Sequence, residues 1–403
     1  MSRKIVGIYC WVMLMYGLSV SFFFATYVIF LTNAGLGLLE VNVINVVFMI
    51  SSFFLEVPTG VVADVYGRKT SLVASCFVTS LAFLLYFFSD TFLLFVIAEV
   101  IAAIGHALCS GAFKAWMIDE VNATGESFDL TRAYRSGKIS NSLGIIVGVI
   151  LGGYLGEYNI ALPWLFASAS IFVTGIVSIF IIKENGHTPV VHERGAMAAM
   201  IDTGRLGFQI CTKSPGVLFA MSLGFVFSFA CMPLNMYWQL RYQGFGLKVS
   251  DLGYLFSANM LVLMLGVFVS VYVYRALKTN KRSLFFTISV MAIGILMAAV
   301  TDTLVFSLSM FYIHELARGI YEPLVDDYVN KRIDEQTRAT VLSFKSMTSL
   351  LGASLGLLVS GLIAKYFGIE AAWICSAIVV LVFVVVFVFR ENSKQKEIVH
   401  ERC

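Results

Sequence analysis

Ionisable side chains lie inside long apolar runs of this 403-residue sequence, where holding and releasing a proton is the chemistry that they could do. Three carboxylates are candidate proton carriers: Glu56, Glu99 and Glu315. A charged group inside a membrane is costly and usually faces the protein interior or a water-filled cavity. Pairing with a neighbouring helix is the alternative role for each residue taken alone. Glu56 also precedes Pro58, which frees a backbone carbonyl and permits a bend.

Further polar residues in the apolar runs have the spacing needed to line a solute site. Glu315, Arg318 and Glu322 are three and four residues apart, so on a helix they form one stripe. Glu99 and His106 are seven residues apart and share a helix face. The alternative is that Arg318 pairs with an adjacent carboxylate and only holds helices together. The candidate solute-contacting residues are His106, Lys114, His314, Arg318, Glu322, Tyr16 and Asn235.

Neither a metal site nor a catalytic centre is predicted. The 7 cysteines form no CxxC pair, and cysteines in apolar runs are usually small buried hydrophobic residues. The sequence shows no nucleophile–base constellation of the kind that covalent catalysis needs. A basic stripe that could bind nucleic acid is also missing. We therefore expect no enzyme activity, no cofactor and no nucleic-acid partner.

Composition places the chain in lipid rather than in water. Hydrophobic residues make up 59% of it and charged residues 13%, against roughly 25% charged residues in an ordinary soluble domain. A soluble fold cannot enclose so much apolar surface, and in lipid the backbone polar groups must be satisfied within the spanning segments. The sequence therefore predicts an all-α membrane protein.

Twelve apolar runs are long enough to cross a bilayer, which takes about 20 residues as a helix. The first run follows Arg3 and Lys4 and is longer than the apolar part of a signal peptide, so we expect it to remain as the first span. Very short turns at residues 89–91 and 301–303 predict helical hairpins. The predicted spans cover residues 5–32, 40–63, 70–89, 91–118, 135–157, 161–183, 214–240, 250–275, 283–301, 303–329, 339–366 and 370–390.

Lys and Arg residues are distributed unequally between the two sides of these spans. With the N-terminus inside, the segments on the outer side keep only Arg241, Lys248 and Lys365. Lys and Arg accumulate on the cytoplasmic side of membrane proteins. The sequence therefore predicts a multi-pass protein of the cell membrane with both termini in the cytoplasm.

Glycines recur with the same spacing in the fifth and eleventh spans, which predicts close helix packing in both. The match predicts duplication of a six-helix unit. The expected organisation is an N-terminal six-helix bundle over 1–183, a cytoplasmic linker over 184–213, and a C-terminal six-helix bundle with a short cytoplasmic tail over 214–403. The glycines assigned to helix packing are Gly144, Gly148, Gly152, Gly153, Gly352, Gly356 and Gly361.

A charged segment occupies the loop between the second and third spans. It resembles the loop between helices 2 and 3 of the major facilitator superfamily, a large class of secondary transporters. Gly60, Asp64, Gly67, Arg68 and Lys69 match the family pattern position for position. The resemblance implies the family fold, with twelve transmembrane helices in two pseudo-symmetric six-helix bundles.

The resemblance also implies a charge-locked gate on the inner side. In the family, the aspartate of this motif caps the start of the eleventh span, and the arginine reaches an acidic residue at the inner end of the fourth. Asp64 and Arg68 hold these positions, and Asp119 fits the acidic partner. The resemblance implies that such contacts join the two halves only when the inner side is closed, so they bias the equilibrium toward the outward-open state.

A second motif bears on the direction of transport. Residues 148–153 resemble the fifth-helix motif of exporting antiporters, with Val149 in place of the family proline. The resemblance implies a secondary active transporter that works by alternating access, as a multidrug-efflux-like exporter of small amphipathic or drug-like molecules coupled to protons. Transport of a charged solute or a metal ion is the alternative, and a polytopic membrane enzyme or receptor is the alternative of another class. We expect a small-molecule substrate, surrounding membrane lipid and a monomer.

Overall fold

The computed structural model describes residues 2–126, 129–184, 215–331 and 338–400, with the single residues 205, 209 and 333. Within these residues the chain forms fourteen α-helices and no strand. The helices are α1 (Ser2–Ser21), α2 (Tyr27–Asn33), α3 (Leu38–Tyr66), α4 (Arg68–Phe88), α5 (Phe92–Cys109), α6 (Ala112–Ala123), α7 (Leu130–Tyr158), α8 (Leu162–Ile181), α9 (Pro215–Gly244), α10 (Val249–Leu277), α11 (Asn280–Val300), α12 (Leu304–Asn330), α13 (Arg338–Phe367) and α14 (Ile369–His400).

Eleven stretches of the described helices are long and apolar enough to cross a membrane, and α5 with α6 forms one of them. Helix α12 is not among the eleven, although its 27 residues span about 40 Å at 1.5 Å per residue. It differs from the others because it carries Glu315, Arg318, Glu322 and two further carboxylates. With α12 included, the described helices provide the twelve crossings that the sequence predicts.

Two predicted spans are interrupted in the structure. The first, 5–32, is divided into α1 and α2 by turns in which Phe24 N–H donates to the Ser21 carbonyl over 3.1 Å. The fourth, 91–118, is divided into α5 and α6 at Gly111, whose φ of 77° lies in the left-handed region that favours glycine. Lys114 and Asp119 therefore lie on α6, separate from Glu99.

The connections between helices follow the turn residues. Gly67 alone separates α3 from α4, and its φ of 99° requires a residue without a side chain. Residues 89–91 join α4 to α5 and residues 301–303 join α11 to α12. The two hairpins predicted from these short turns are confirmed.

The described chain divides into two units. The first contains Met1–Ile201 and Tyr242–Met260. Its helix α7 packs on α1, where a side chain at Gly144 would meet the Leu14 carbonyl and one at Gly148 would meet the Leu18 carbonyl. Gly152 lies against the Phe22 carbonyl, and Gly153 lies against residues 249 and 250 at the start of α10. The glycines of α7 thus allow direct backbone contact between helices.

The second unit contains Asp202–Arg241 and Leu261–Cys403. A side chain at Gly352 or Gly356 of α13 would meet the carbonyls of Phe225 or Phe229 on α9. Gly361 is buried in the same helix. The contact of α13 with α9 therefore repeats, within this unit, the contact of α7 with α1. The predicted linker, 184–213, lies outside the described residues apart from residues 184, 205 and 209.

Candidate functional site

A buried ionic network occupies the middle of α12 in the second unit. The Glu315 side chain is 1% exposed, and its Oε2 lies 3.5 Å from Arg318 Nη1. The same Nη1 donates to Asn235 Oδ1 of α9 over 2.8 Å. Arg318 is 28% exposed, so it connects the enclosed carboxylate to the surface of the unit. Three of the predicted residues are therefore in contact, because one turn of α12 faces α9.

His314 extends this network into the bundle. Its Nε2 lies 3.6 Å from Glu315 Oε1, and its Nδ1 lies 3.4 Å from the Met291 carbonyl of α11. Gly294 makes room for it, since a Cβ there would lie 3.2 Å from the His314 Cβ. The imidazole is fully enclosed, so a solute could touch it only if α11 and α12 separated. The structure thus places His314 behind the carboxylate rather than on a surface.

Glu322 lies one turn beyond Arg318 on the exposed side of α12. Arg318 interacts electrostatically with both Glu315 and Glu322. Solvent exposure therefore increases along the predicted stripe of this helix. The Glu315 carboxylate is enclosed, the Arg318 guanidinium is partly exposed and the Glu322 carboxylate is exposed. Such an arrangement can hold a proton or a charged group at more than one position.

The first unit has its own buried carboxylate, Glu99 of α5, which is 7% exposed. Tyr27 donates its hydroxyl to Glu99 Oε1 over 3.0 Å, and Asn45 Nδ2 donates to the Tyr27 oxygen over 2.7 Å. Tyr27 is the first residue of α2, so the break after α1 positions it. The Tyr86 hydroxyl lies near both Tyr27 and Glu99 without the geometry of a hydrogen bond to either.

An aromatic cluster centred on Trp164 includes Tyr27, the hydrogen-bond donor of this carboxylate. The Trp164 ring is stacked between those of Phe23 and Tyr86, with centroid distances of 4.0 Å to each. Tyr27 and Phe30 complete the contacts of Trp164 at 5.9 and 5.7 Å. The cluster packs around the Tyr27 ring, whose hydroxyl is the hydrogen-bond donor observed at Glu99.

The other predicted residues of the first unit lie on more open surfaces. Glu56 is exposed on α3 and interacts electrostatically with His106, which is exposed on α5. Lys114 is exposed on α6, with its Nζ 4.6 Å from the centroid of the Tyr134 ring. Tyr16 of α1 is half-buried beside two cysteines. The structure therefore does not bring Lys114 or Tyr16 into the Glu99 network.

The charged loop motif forms a compact cluster at the junction of α3 and α4. Arg68 Nη1 lies 2.6 Å from Asp64 Oδ1, and Arg68 Nε lies 3.8 Å from Asp119 Oδ2 on α6. Lys69 Nζ donates to the Ile179 carbonyl of α8 over 2.7 Å. A side chain at Gly60 would meet no atom within 4 Å. The start of the eleventh span, which the resemblance assigns to Asp64 as a partner, is the beginning of α13 at Arg338, in the second unit.

The geometry agrees with the outcome of comparisons with known proteins. The family model of the Major Facilitator Superfamily matches residues 9–344 and 280–402. This chain belongs to the major facilitator superfamily. It is a multi-pass membrane transporter and not an enzyme.

Relatives of this major facilitator superfamily protein include transporters of bacteria. It is 24% identical over 383 residues to the uncharacterized MFS-type transporter YxaM of Bacillus subtilis strain 168, a match covering 94% of each chain. It is 27% identical over 138 residues to multidrug resistance protein 2 of the same organism, covering 34% of each chain. The crystal structure of the nucleoside transporter NupG superposes with a TM-score of 0.79 over 95% of this chain and 98% of that one, at 12% identity, which shows a shared fold.

Sequence reasoning missed one residue of the motif cluster. Glu184, which follows α8, accepts hydrogen bonds from the backbone N–H groups of Arg68 and Lys69 at the start of α4. A helix N-terminus attracts an anion because its first N–H groups have no partner within the helix. The available signal was the repeat of Lys-Glu-Asn at 183–185 as Arg-Glu-Asn at 390–392. This repeat draws attention to Glu184 but does not indicate that its partners are the N–H groups of Arg68 and Lys69.

Among the described residues, no group of three His, Cys, Asp or Glu side chains is placed to hold a metal ion. His106 and His314 lie in different units and each contacts other protein groups.

Proposed function

We propose that this transporter exports small amphipathic or drug-like molecules in exchange for protons, by alternating access. Support comes from the partial similarity to a protein named multidrug resistance protein 2. The fifth-span glycine motif, which resembles that of exporting antiporters, supports the same direction. The proton is the coupling ion in this proposal, and no other cofactor takes part.

The observation that carries the proposal is the pair of enclosed carboxylates, one in each unit. Glu315 is 1% exposed and has one cation, Arg318, at 3.5 Å. Glu99 is 7% exposed and is held by Tyr27, a neutral donor. Keeping a buried carboxylate charged is costly unless a cation compensates it. Gaining or losing a proton at either position therefore changes the balance of the surrounding contacts, which is what coupling requires.

The motif cluster supplies the conformational part of the proposal. Asp64, Arg68 and Asp119 join the ends of α3, α4 and α6 within the first unit. Breaking one of these ion pairs removes part of the free energy that holds one state. We therefore assign Asp64, Arg68 and Asp119 to gating, and Glu56, Glu99 and Glu315 to proton transfer.

Transport into liposomes tests this function. The purified protein is reconstituted, a pH gradient is imposed in each direction, and uptake of chloramphenicol, tetracycline and ethidium is measured. We expect the gradient to concentrate at least one compound in the compartment of higher proton concentration. Glu99→Gln and Glu315→Gln should abolish this concentration while leaving flux down a substrate gradient. Asp90→Asn, a change in an exposed turn, is the matched control.

Two results would contradict the proposal. One is equal accumulation with and without the pH gradient for every compound. The other is full proton-driven accumulation by both glutamine variants, which would remove Glu99 and Glu315 from the coupling step. Glu56→Gln serves as a third variant, because the Glu56 carboxylate is exposed and the protein should tolerate this change better than a change at the buried Glu99 or Glu315.

Transport of a charged solute is the second candidate. It is favoured by the exposed charges of α12, where Arg318 and Glu322 are both accessible. The same panel distinguishes the two, since a carrier of charged solutes should discriminate against chloramphenicol, which carries no charge.

Orientation and oligomeric state complete the proposal. We expect both termini in the cytoplasm and a functional monomer. Single introduced cysteines in the turns at 89–91 and 301–303 should react with an impermeant thiol reagent from outside the cell. Labelling of these turns only from inside would reverse the topology.

A further inference from the structure

A cavity of 270 Å³ opens into the second unit between α9, α12 and α13. Its wall combines the aromatic residues Phe227 and Tyr321, the charged residues Glu322 and Lys345, and hydroxyl groups that include Ser228 and Ser349. Ligand sites of drug-sized molecules measure roughly 300–1,000 Å³ and place a few polar groups among aromatic ones. The cavity is thus sized for a small molecule or for one end of a larger one.

The charges around this cavity leave one carboxylate in excess. Lys345 Nζ lies 2.7 Å from Asp326 Oδ1, so its charge is already compensated. Arg318 is shared between Glu315 and Glu322, and its 3.5 Å contact is to Glu315. Along this face, three carboxylates therefore meet two cations. Glu322, which is exposed and forms no salt bridge among the described residues, provides the surplus negative charge.

The aromatic side of the wall suits a flat or cationic group. The rings of Phe227 and Tyr321 are stacked with a centroid distance of 3.9 Å and an interplanar angle of 12°. Aromatic faces attract a cation placed within about 6 Å of the ring centroid. The cavity therefore combines aromatic rings with the Glu322 carboxylate.

We infer that this cavity binds a small aromatic organic cation, with its charge at Glu322 and its ring against Phe227 and Tyr321. The inference rests on the proposed function in one respect, because it makes such cations a cargo of the transporter. The inference adds to the proposed function the sign of the charge on the cargo and the residues that select a cation. It also excludes organic anions from this position, since they would face the uncompensated carboxylate.

Direct binding to the full-length protein in detergent tests the site without any transport step. The probe is radiolabelled benzyltrimethylammonium, whose charge does not change with pH, and benzenesulfonate is the anionic counterpart. We expect the wild type to bind the cation and not the anion. Glu322→Gln should weaken cation binding by about ten-fold or more, as expected for loss of an opposite charge within a few ångström of the ligand. Glu322→Asp should restore part of it.

Two further variants distinguish the effect of charge on binding from the effect of cavity volume. Lys345→Gln leaves Asp326 without its partner and should tighten binding of the cation, the opposite of the effect at Glu322. Gly224→Val places methyl groups in the cavity, since a Cβ there meets only the Ser349 hydroxyl, at 3.1 Å. It should block binding without a change of charge. Asp302→Asn, in an exposed turn of the same unit, is the control.

The inference is overturned if folded wild-type protein binds no benzyltrimethylammonium, or if Glu322→Gln binds it as tightly as the wild type. Proton-driven uptake of the neutral chloramphenicol is measured on the same samples and reports on the proposed function alone. Loss of cation binding in Glu322→Gln with retained chloramphenicol transport supports both. Glu322-dependent binding in a protein that shows no proton-driven transport supports the site and contradicts the proposed function.

Discussion

The carboxylate at the start of α4 offers the sharpest test of how the gating motif is held. Glu184 accepts from the N–H of Lys69 over 3.3 Å and from the N–H of Arg68. Its own segment is fixed because Trp116 Nε1 donates to the Lys183 carbonyl over 2.8 Å. Glu184 therefore caps α4 from the segment that follows α8, and its loss should loosen the motif without removing any motif residue.

The free energy by which Glu184 stabilises the start of α4 has two contributions. A side-chain cap at a helix N-terminus is worth about 0.5–2 kcal/mol. A negative charge near that end adds roughly 0.3–1 kcal/mol from the helix dipole. Glu184→Ala should lose both, a total of about 1–2 kcal/mol after allowance for water that replaces the carboxylate. Glu184→Gln keeps an acceptor and should lose only about 0.5 kcal/mol.

Hydrogen exchange at single-residue resolution measures this loss at Arg68 and Lys69. Because 1.4 kcal/mol corresponds to a factor of ten, Glu184→Ala should accelerate exchange of these two amides by about 5- to 30-fold. Glu40→Ala is the matched control, since Glu40 caps α3 by accepting from Gly37 N–H over 2.7 Å. It should leave both amides unchanged. Unaltered exchange at both amides in Glu184→Ala would refute the capping role.

Three further predictions concern stability. Arg241 donates to a carboxylate of α14 and to two carbonyls at the end of α11, so Arg241→Gln should lower the free energy of unfolding by roughly 2 kcal/mol, measured by thermal unfolding in detergent. Gly356→Ala should be destabilising by about 1–3 kcal/mol, because its methyl group would meet a carbonyl of α9. Gly7→Ala is the control and should be neutral or stabilising, because a Cβ there has no atom within 4 Å. Equal effects of the two substitutions would contradict the packing role of Gly356. Hydrogen bonds from the N-terminal segment lower the pKa of Glu126 to about 2. The contact between Glu126 and this segment should therefore be fully formed at a pH above 4.5, the ordinary pKa, and should be lost as the pH falls through about 2. A spin label on the segment would report this loss as increased mobility.

Length and apolar character were sufficient to predict the crossings and the hairpins. They could not predict the break between α1 and α2, because Phe22 and its neighbours are as apolar as a lipid-facing helix. At the break, Phe23 stacks on Trp164 far along the chain, a tertiary contact that local composition does not encode. The same break places Tyr27 on Glu99, so the hydrogen bond at this carboxylate was not predictable either.

The site was predictable where its residues are close in sequence. The spacing of Glu315 and Arg318 on one helix predicts their contact, since residues three apart are neighbours on a helix. Asn235 was among the candidate polar residues, but its contact with Arg318 joins two helices and is not indicated by spacing. Glu184 was missed for the same reason, because it reaches Arg68 across more than a hundred residues.

Proton movement driven by substrate is the measurement that tests the central claim most directly. Liposomes containing the protein and a trapped pH-sensitive dye receive an inward gradient of a transported compound, with no pH gradient and with the membrane potential clamped. Antiport predicts that the lumen becomes more alkaline as substrate enters, and that Glu99→Gln and Glu315→Gln remove this change. Substrate entry at the same rate with a constant lumenal pH, or with acidification, would contradict the account.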